Sequence, residues 1–368
     1  RSCMGMKRRV VLAAVALVAV VAVGVGLFFF VGQPRKLYRV TVLPSLGGDQ
    51  MGAHAINDRG QVVGKAQTPD GQRHFFFWDP QGGMQDLGVT GEGRFDINNT
   101  CQIAGSMIDP NGNEQAFLWE CDKGRTLLGT LGGKTSQVMA INNRGQIVGT
   151  SETADGSSHA FLWDPARGMR DLGTLGGTDS QGHAINDAGV VFGYSDAPTR
   201  EDQPFIWDAN DGMVAIGPSC EITRLNGINS GFWVVGGMFS PDRGGVWMAA
   251  WRKGAGPTEL FPIDMPLFEP ALLNDANQIV FWDLGDKRPW WLPKAFFHRR
   301  YREYLWDPNR GIIRLDPYIS AGRKESFYPM DINNKGCIVG FLYREPKPPH
   351  PACARAIVLE PISERWDK

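Results

Sequence analysis

The sequence lacks the residue patterns that mark many enzyme sites. It contains no Gly-x-Ser-x-Gly nucleophile turn, no His-Glu-x-x-His zinc motif and no phosphate-binding loop. Histidine is scarce, with 6 residues in 368, and none of the 6 cysteines stands at a spacing typical of a zinc site. The sequence therefore predicts no cofactor and no metal site, and it favours a non-catalytic role while leaving catalysis uncertain.

Acidic residues are absent from the first 36 positions, which carry six Lys or Arg side chains. Residues 37–368 contain 32 basic and 39 acidic side chains, so the body of the protein has a net charge of −7. General nucleic-acid binding requires a basic face on the protein. The acidic body therefore argues against a nucleic-acid partner.

One long apolar run, Val10 to Val31, contains no charged residue. As a helix its 22 residues would span about 33 Å, which is enough to cross the hydrocarbon core of a bilayer. Because basic residues precede it, we expect a short cytoplasmic N-terminus over 1–9, a single-pass helix over 10–31 and a linker over 32–37, with the body outside the cytoplasm. The alternative is a signal peptide cleaved near Gly24, which would yield a secreted body.

The rest of the sequence is built from a repeated phrase. It reads Ala-Ile-Asn-Asp-Arg-Gly-Gln-Val-Val-Gly over 55–64, and six further copies follow, of which the last three are weaker. Each copy contains one asparagine at the same place: Asn57, Asn98, Asn142, Asn186, Asn229, Asn274 and Asn333. Successive asparagines lie 41 to 45 residues apart, except for a last interval of 59. Seven units of about 44 residues are typical of a propeller or a solenoid.

Each unit has room for four short strands separated by turn residues. In the third unit we predict strands over 137–141, 146–151, 158–164 and 169–175. Four strands with this period predict a blade of an all-β propeller. A tryptophan in the third strand of six units is expected to fill the wedge between neighbouring blades. These residues are Trp78, Trp119, Trp163, Trp207, Trp251 and Trp306.

The seventh unit ends after its third strand, at 354–360. The segment 38–48 resembles the fourth-strand phrase at 171–177, so we expect the N-terminal strand to complete the last blade. Such closure removes exposed sheet edges. The prediction is a seven-bladed propeller of four-stranded blades over 38–361, followed by a short tail over 362–368. It depends on the loosely matching fifth and sixth units being complete blades.

Three phrases together resemble the HAF-type extracellular repeat family of bacteria. They are His-Ala-Phe-Leu-Trp-Asp at 159–164, Ile-Asn-Asn-Arg-Gly-Gln-Ile-Val-Gly at 141–149 and Leu-Gly-Thr-Leu-Gly-Gly at 172–177. The resemblance covers about residues 38–361 and is most specific in units one to four. It implies an exported bacterial protein with propeller-like repeats and implies no particular reaction. The Trp-Asp pairs also resemble those of WD repeats, but the Gly-His signature of that family is missing.

Two cysteines of the second unit are expected to face each other. Cys101 begins the second strand, Cys121 ends the third, and the hairpin turn between them is centred on residues 109–112. We therefore predict a disulfide between them, which export would keep oxidised. The oxygen-rich segment 109–114 lacks the distal Glu of a calcium loop, so a plain turn is favoured there.

The sixth unit contains an insertion between its second and third strands. Its interval from Asn274 to Trp306 is 32 residues, where the usual interval is 21. Basic and aromatic residues fill the extra segment, and such residues are common in binding sites. Packing on a neighbouring blade or contact with the membrane surface are the alternatives. The predicted ligand-binding residues are Trp290, Trp291, Phe296, Phe297, His298, Arg299 and Arg300 in the insertion, and Lys134, Gln137, Asp179 and Gln181 in the connections between blades, which share its face of the propeller.

Taken together, these features favour a membrane-anchored, extracytoplasmic propeller that binds a protein or glycan of the cell envelope. Two alternatives stay open. One is a carbohydrate-active or other hydrolytic enzyme with its site in the axial funnel, and the other is a purely structural surface spacer. A cluster of carboxylates or a bound metal in the funnel would favour the enzyme.

Overall fold

The strands of this protein form seven four-stranded antiparallel sheets, which are the blades of a propeller. The computed structural model describes residues 37–90, 93–198, 200–216, 222–231, 233–239, 246–252, 258–263, 268–283, 302–315, 325–344 and 353–362. All of its strands lie in one unit, Tyr38–Pro361. The predicted all-β, seven-bladed architecture is confirmed, and the fifth and sixth units are complete blades.

In the ranges that the structure describes, no helix is long and apolar enough to span a bilayer. The apolar run 10–31 lies outside those ranges. The membrane anchor therefore stays a prediction.

Blades 1 to 3 follow one another along the chain. Blade 1 consists of β2 (Met51–Ile56), β3 (Val62–Gln67), β4 (Arg73–Asp79) and β5 (Gly83–Thr90). Blade 2 consists of β6 (Phe95–Ile97), β7 (Ile103–Ile108), β8 (Glu114–Glu120) and β9 (Gly124–Leu127). Blade 3 consists of β10 (Gly132–Ile141), β11 (Ile147–Thr153), β12 (Ser158–Asp164) and β13 (Gly168–Asp171).

Blades 4 to 6 repeat this order. Blade 4 consists of β14 (Ser180–Ile185), β15 (Val191–Ala197), β16 (Arg200–Asp208) and β17 (Gly212–Ala215). Blade 5 consists of β18 (Ile222–Ile228), β19 (Val234–Phe239), β20 (Val246–Trp251) and β21 (Thr258–Ile263). Blade 6 consists of β22 (Phe268–Leu273), β23 (Ile279–Asp283), β24 (Arg302–Asp307) and β25 (Gly311–Arg314). The first strands of neighbouring blades contact one another all the way round the ring, so the first strand of each blade is the innermost.

Blade 7 joins the two ends of the propeller. It consists of β26 (Glu325–Ile332), β27 (Ile338–Arg344), β28 (Cys353–Pro361) and the N-terminal strand β1 (Tyr38–Val42). β1 pairs antiparallel with β28 and places Val40 opposite Leu359. The predicted closure of the ring by the N-terminal strand is thus confirmed.

Buried apolar side chains fill the spaces between blades. Trp207 of blade 4, only 3% exposed, packs with Val148 and Leu162 of blade 3. Trp251 of blade 5, only 1% exposed, packs with Ile206 of blade 4. The remaining third-strand tryptophans are partly buried against the other interblade clusters: Trp78, Trp119, Trp163 and Trp306. Since the apolar cores lie between the blades, the axis is left to polar groups.

Candidate functional site along the propeller axis

The strand directions give the propeller two different faces. First and third strands end on the same face, as β10 does at Ile141 and β12 at Asp164. We call this the Asn-ring face because the repeated asparagines follow the first strands. The turns between second and third strands and the connections between blades lie at the other end of the strands, which we call the connection face.

The seven repeated asparagines form a closed ring of hydrogen bonds around the axis. Each side-chain Nδ2 donates to the main-chain oxygen of the asparagine in the next blade, from Asn57 to Asn98 at 2.9 Å and finally from Asn333 back to Asn57 at 2.9 Å. The five bonds between these measure 2.9 to 3.2 Å. All seven side chains are 3% to 5% exposed. The most regular residue of the repeat therefore joins each blade to the next.

Each asparagine also organises the turn of its own blade. In blade 3, Asn142 Oδ1 accepts the N–H groups of Arg144 at 3.0 Å and Gln146 at 2.9 Å, and Asn142 Nδ2 donates to Gln146 Oε1 at 2.9 Å. Gln146 Nε2 in turn donates to Asp164 Oδ2 at 3.0 Å. The same Asn–Gln–carboxylate chain occurs in blades 1, 2 and 6. The Asp of the Trp-Asp phrase thus has a structural role, which is to hold the turn network.

A second, more exposed ring lies on the solvent side of the first. It is built from the residues that follow the asparagines: Asp58, Asn99, Asn143, Asp187, Ser230, Asp275 and Asn334. Six links are seen in which a main-chain N–H donates to the next side-chain oxygen at 2.7 or 2.8 Å. Together the two rings line an axial cavity of about 160 Å³.

Backbone N–H groups beneath the ring point at the axis. Asn142 N–H donates to Gln146 O, so Ile141 and Ile147 form the next pair of the ladder, which exchanges no hydrogen bonds. The Ile141 N–H is therefore directed away from β11, and Asp96 Oδ2 accepts it at 3.0 Å. In the same way Asp331 Oδ2 accepts the Ile56 N–H at 2.8 Å.

These two axial carboxylates tie blades together. Asp96 links blade 2 to blade 3, and Asp331 links blade 7 to blade 1 across the closure of the ring. The second oxygen of each carboxylate accepts the N–H of the residue that follows it, at 2.8 Å. Sequence reasoning missed both residues. The available signal was a charged residue at the place where most other units have the small residues Ala or Gly.

The surroundings of the axial carboxylates favour their neutral forms. Burial raises the pKa of Asp96 to about 6. Burial, and then the charges of Asp96 and Asp58, raise the pKa of Asp331 to about 7. Asp331 lines the axial cavity, and both residues are partly exposed. The two carboxyl groups therefore titrate near neutral pH.

This titration predicts that the stability contributed by Asp331 falls as the pH rises. Folding raises the pKa of Asp331 from 3.8 to about 7, so the folded protein binds this proton more tightly than the unfolded chain. The contribution is complete below about pH 4 and is lost as the pH rises through about 7. In urea unfolding between pH 5 and 8, we expect the stability advantage of the wild type over Asp331→Asn to shrink with rising pH. A difference between wild type and Asp331→Asn that stays constant from pH 5 to 8 would refute the prediction.

Two partly buried histidines, His54 and His183, belong to the innermost strands of blades 1 and 4. The ring of His54 lies 5.0 Å from that of Phe95, and the ring of His183 lies 5.2 Å from that of Tyr194, so both imidazoles pack against aromatic rings. Burial, followed by the charges of Lys65 and Arg94, lowers the pKa of His54 to about 4. Burial and the Arg94 charge lower the pKa of His183 to about 4 as well. Both imidazoles are therefore neutral at neutral pH.

The predicted ligand-binding residues of the connections hold polar contacts within the propeller. Gln137 Nε2 donates to Glu114 Oε2 of blade 2 at 2.6 Å, and Asp179 Oδ1 accepts the Ser158 N–H at 2.7 Å. Lys134 contributes its main-chain oxygen to Gln115 Nε2 at 2.6 Å, while Gln181 is exposed. The predicted insertion residues fall within 284–301, outside the described residues.

The predicted cysteine pair lies on the Asn-ring face. Strands β7 and β8 pair Ile103 with Trp119, and this register places Cys101 opposite Cys121. Their Sγ atoms are 3.3 Å apart. The neighbouring turn at Asp109 is held by its own carboxylate, which accepts the N–H groups of Asn111 and Asn113 at 2.8 Å. Among the described residues, no group of three or more His, Cys, Asp or Glu side chains is placed to hold a metal ion.

Comparisons with known proteins agree on the fold. No family model and no curated protein matches the sequence. The β-propeller domain of the Trilobed protease from Pyrococcus furiosus is 9% identical, with a TM-score of 0.53 over 83% of this chain and 95% of that one. Oligogalacturonate lyase in complex with manganese is 13% identical, with a TM-score of 0.53 over 90% and 96%. Puromycin hydrolase is 13% identical, with a TM-score of 0.51 over 81% of this chain and 50% of that one. At these identities the similarity establishes the propeller fold alone, because one fold supports many unrelated functions.

Proposed function

We propose that this protein is a non-catalytic binding module, held at the membrane by its apolar N-terminal segment, whose connection face binds a protein or glycan of the cell envelope. The observation that supports this proposal is the position of the longest connection between strands, which lies on the connection face. On the Asn-ring face, buried Asn, Gln and Asp side chains bind one another and the backbone. The connection face carries the exposed Gln181 and the ends of the longest connection, between Asp283 and Arg302.

The axial carboxylates also favour binding over hydrolysis. Glycoside hydrolysis needs two carboxyl groups that are directed at the substrate. Both oxygens of Asp96 and of Asp331 instead accept backbone N–H groups, as suits residues that join blades.

A second candidate is a hydrolytic enzyme with its site in the axial channel. The observation in its favour is the pKa of Asp331, raised by burial to about 7, since a general acid needs a pKa in this range. Under this candidate Asp331→Asn abolishes a hydrolytic activity and leaves ligand binding intact.

The binding proposal predicts capture of an envelope component that depends on the insertion of blade 6. Two baits are compared, the full chain in detergent and a variant with residues 289–300 replaced by a short Gly-Asn turn. We expect an envelope protein or glycan to be retained by the first bait and lost from the second, because the insertion supplies the basic and aromatic residue types that dominate binding sites.

A matched control is Lys123→Gln, which removes an exposed charge from the Asn-ring face and should leave capture unchanged. Thermal unfolding of each bait shows that the propeller is intact. Equal capture by the full chain and the shortened variant, or no capture by either folded bait, would exclude the proposed site.

A further inference from the structure

Arg94 stands at the axial mouth of the connection face. In blade 2 it takes the place that Gln137 and Gln181 take in blades 3 and 4. The residue after each of them pairs with the glycine of the second strand: Phe95 with Gly105, Val138 with Gly149, and Gly182 with Gly193. The three side chains therefore belong to one level of the innermost strands on consecutive blades. The sequence analysis named the two glutamines as ligand-binding residues. The strand pairing shows that Arg94 occupies the equivalent position in blade 2.

Arg94 has no protein partner among the residues that the structure describes. Its side chain is exposed and takes part in no hydrogen bond or ion pair there. A carboxylate stands beside its backbone, because Glu114 Oε1 lies 2.6 Å from the position that a Cβ would take on Gly93. That carboxylate binds Gln137 Nε2 instead, at 2.6 Å. The Arg94 guanidinium therefore forms no ion pair with the Glu114 carboxylate, although that carboxylate lies close to the neighbouring backbone.

The charge of Arg94 affects two histidines of other blades. It contributes to the lowered pKa values of His54 in blade 1 and of His183 in blade 4. Contacts place both imidazoles at the level of Arg94. His54 Nε2 lies 3.7 Å from the position that a Cβ would take on Gly52, the residue before Ala53, which pairs with Gly64 of the second strand. The His183 ring lies 5.2 Å from the ring of Tyr194, which pairs with Gln181. Lys65, a second cation, lies over the ring of Phe95, the residue after Arg94, with its Nζ 5.9 Å from the ring centre.

We propose that Arg94, together with the His54 and His183 imidazoles at the same level of the innermost strands, binds an anionic group of a ligand, a carboxylate or a phosphate, at the axial mouth of the connection face. A guanidinium offers paired N–H donors that match either group. A neutral imidazole adds one further N–H donor without repelling the arginine. The proposal rests on the proposed binding function and names the chemical class of its ligand.

The test is calorimetric titration of the full chain in detergent with glucuronate, glucose 6-phosphate and glucose. We expect one or both anions to bind and the neutral sugar not to bind, and the two anionic arms separate a carboxylate site from a phosphate site. Arg94→Gln should weaken anion binding by about tenfold or more, since it removes a charge-assisted pair of hydrogen bonds. Arg94→Lys should keep part of the affinity.

Arg125→Gln provides the matched control, because Arg125 is an exposed arginine on β9 away from the innermost strands. It should leave anion binding unchanged, and thermal unfolding should show all variants folded. Anion binding no stronger than that of glucose, or equal in the wild type and Arg94→Gln, would overturn the proposal. Envelope capture that persists without anion binding would reject this site alone, whereas anion binding without capture would reject the envelope partner alone.

Discussion

Replacing Asn142 with alanine is expected to lower the free energy of unfolding by about 3 kcal/mol. The Asn142 side chain takes part in four hydrogen bonds and is only 4% exposed. Its loss leaves the Asn186 carbonyl without its interblade donor and two turn N–H groups without an acceptor. Buried polar groups that lose their partners each cost of the order of 1 kcal/mol or more. The cost is high because the network joins blade 3 to blade 4.

Urea unfolding followed by tryptophan fluorescence measures this loss. The matched control is the adjacent Asn143→Ala, which removes an exposed side chain of the outer ring and should cost less than about 1 kcal/mol. Asn142→Asp separates the two roles of the side chain. Aspartate keeps an oxygen that accepts the turn N–H groups but has no N–H to donate to Asn186. A loss for Asn142→Ala no greater than that for Asn143→Ala would show that the ring contributes little to stability.

Reducing the protein is expected to lower its free energy of unfolding by about 3 kcal/mol, if Cys101 and Cys121 form the predicted disulfide. The register of β7 and β8 and the 3.3 Å separation of the sulfur atoms place the pair for this bond. Burial raises the pKa of the Cys101 thiol to about 12, so this cysteine is no activated nucleophile. The pair is therefore better suited to a structural role than to a catalytic one.

The backbone conformation at Cys101 allows a second prediction about the same disulfide. Cys101 has a φ of 65°, in the turn position where Gly145 of blade 3 has a φ of 75°. Positive φ costs a non-glycine residue roughly 1 kcal/mol. Cys101→Gly should therefore be less stable than the oxidised wild type but more stable than the reduced wild type by about 1 kcal/mol.

Urea unfolding with and without a thiol reductant measures whether Cys101→Gly is less stable than the oxidised wild type and more stable than the reduced wild type. The control Cys121→Ser removes the disulfide and leaves the backbone at position 101 unchanged, so it should match the reduced wild type under both conditions. A wild type whose stability does not respond to the reductant would contradict the predicted bond.

Much of the architecture follows from local patterns in the sequence. The sequence predicts the strand β12 (Ser158–Asp164) with its observed bounds, because its short apolar run and flanking turn residues are local signals. The fourth strand of the same unit was predicted over 169–175 but is observed at Gly168–Asp171. Leu172 N–H still bonds to Ala160 O at 2.9 Å, but the chain then leaves the sheet through the connection to blade 4. The end of that strand depends on the next blade, which local patterns do not describe.

The asparagine of the repeat shows where sequence reasoning stopped. Its regular spacing located the blades, but spacing does not reveal which group receives its Nδ2 donor. The turn after the asparagine ends in a glycine in four units, and Gly60, Gly145, Gly189 and Gly336 all have the positive φ that glycine adopts without strain. The backbone conformation of a turn is a local property, whereas the partner of an asparagine side chain is a property of two blades.

From the sequence alone came the seven units, the four strands of each, the interblade tryptophans, the closing N-terminal strand and the facing cysteines. These features depend on the period of two in strands, on turn chemistry and on repeat length, all of which act over short distances along the chain. The asparagine ring, the carboxylates that join blades and the place of Arg94 emerged only with the closed propeller. Their partners lie far away in sequence, as with the bond from Asn333 to Asn57 across 276 residues. Such pairs meet only because the ring brings every innermost strand to one axis.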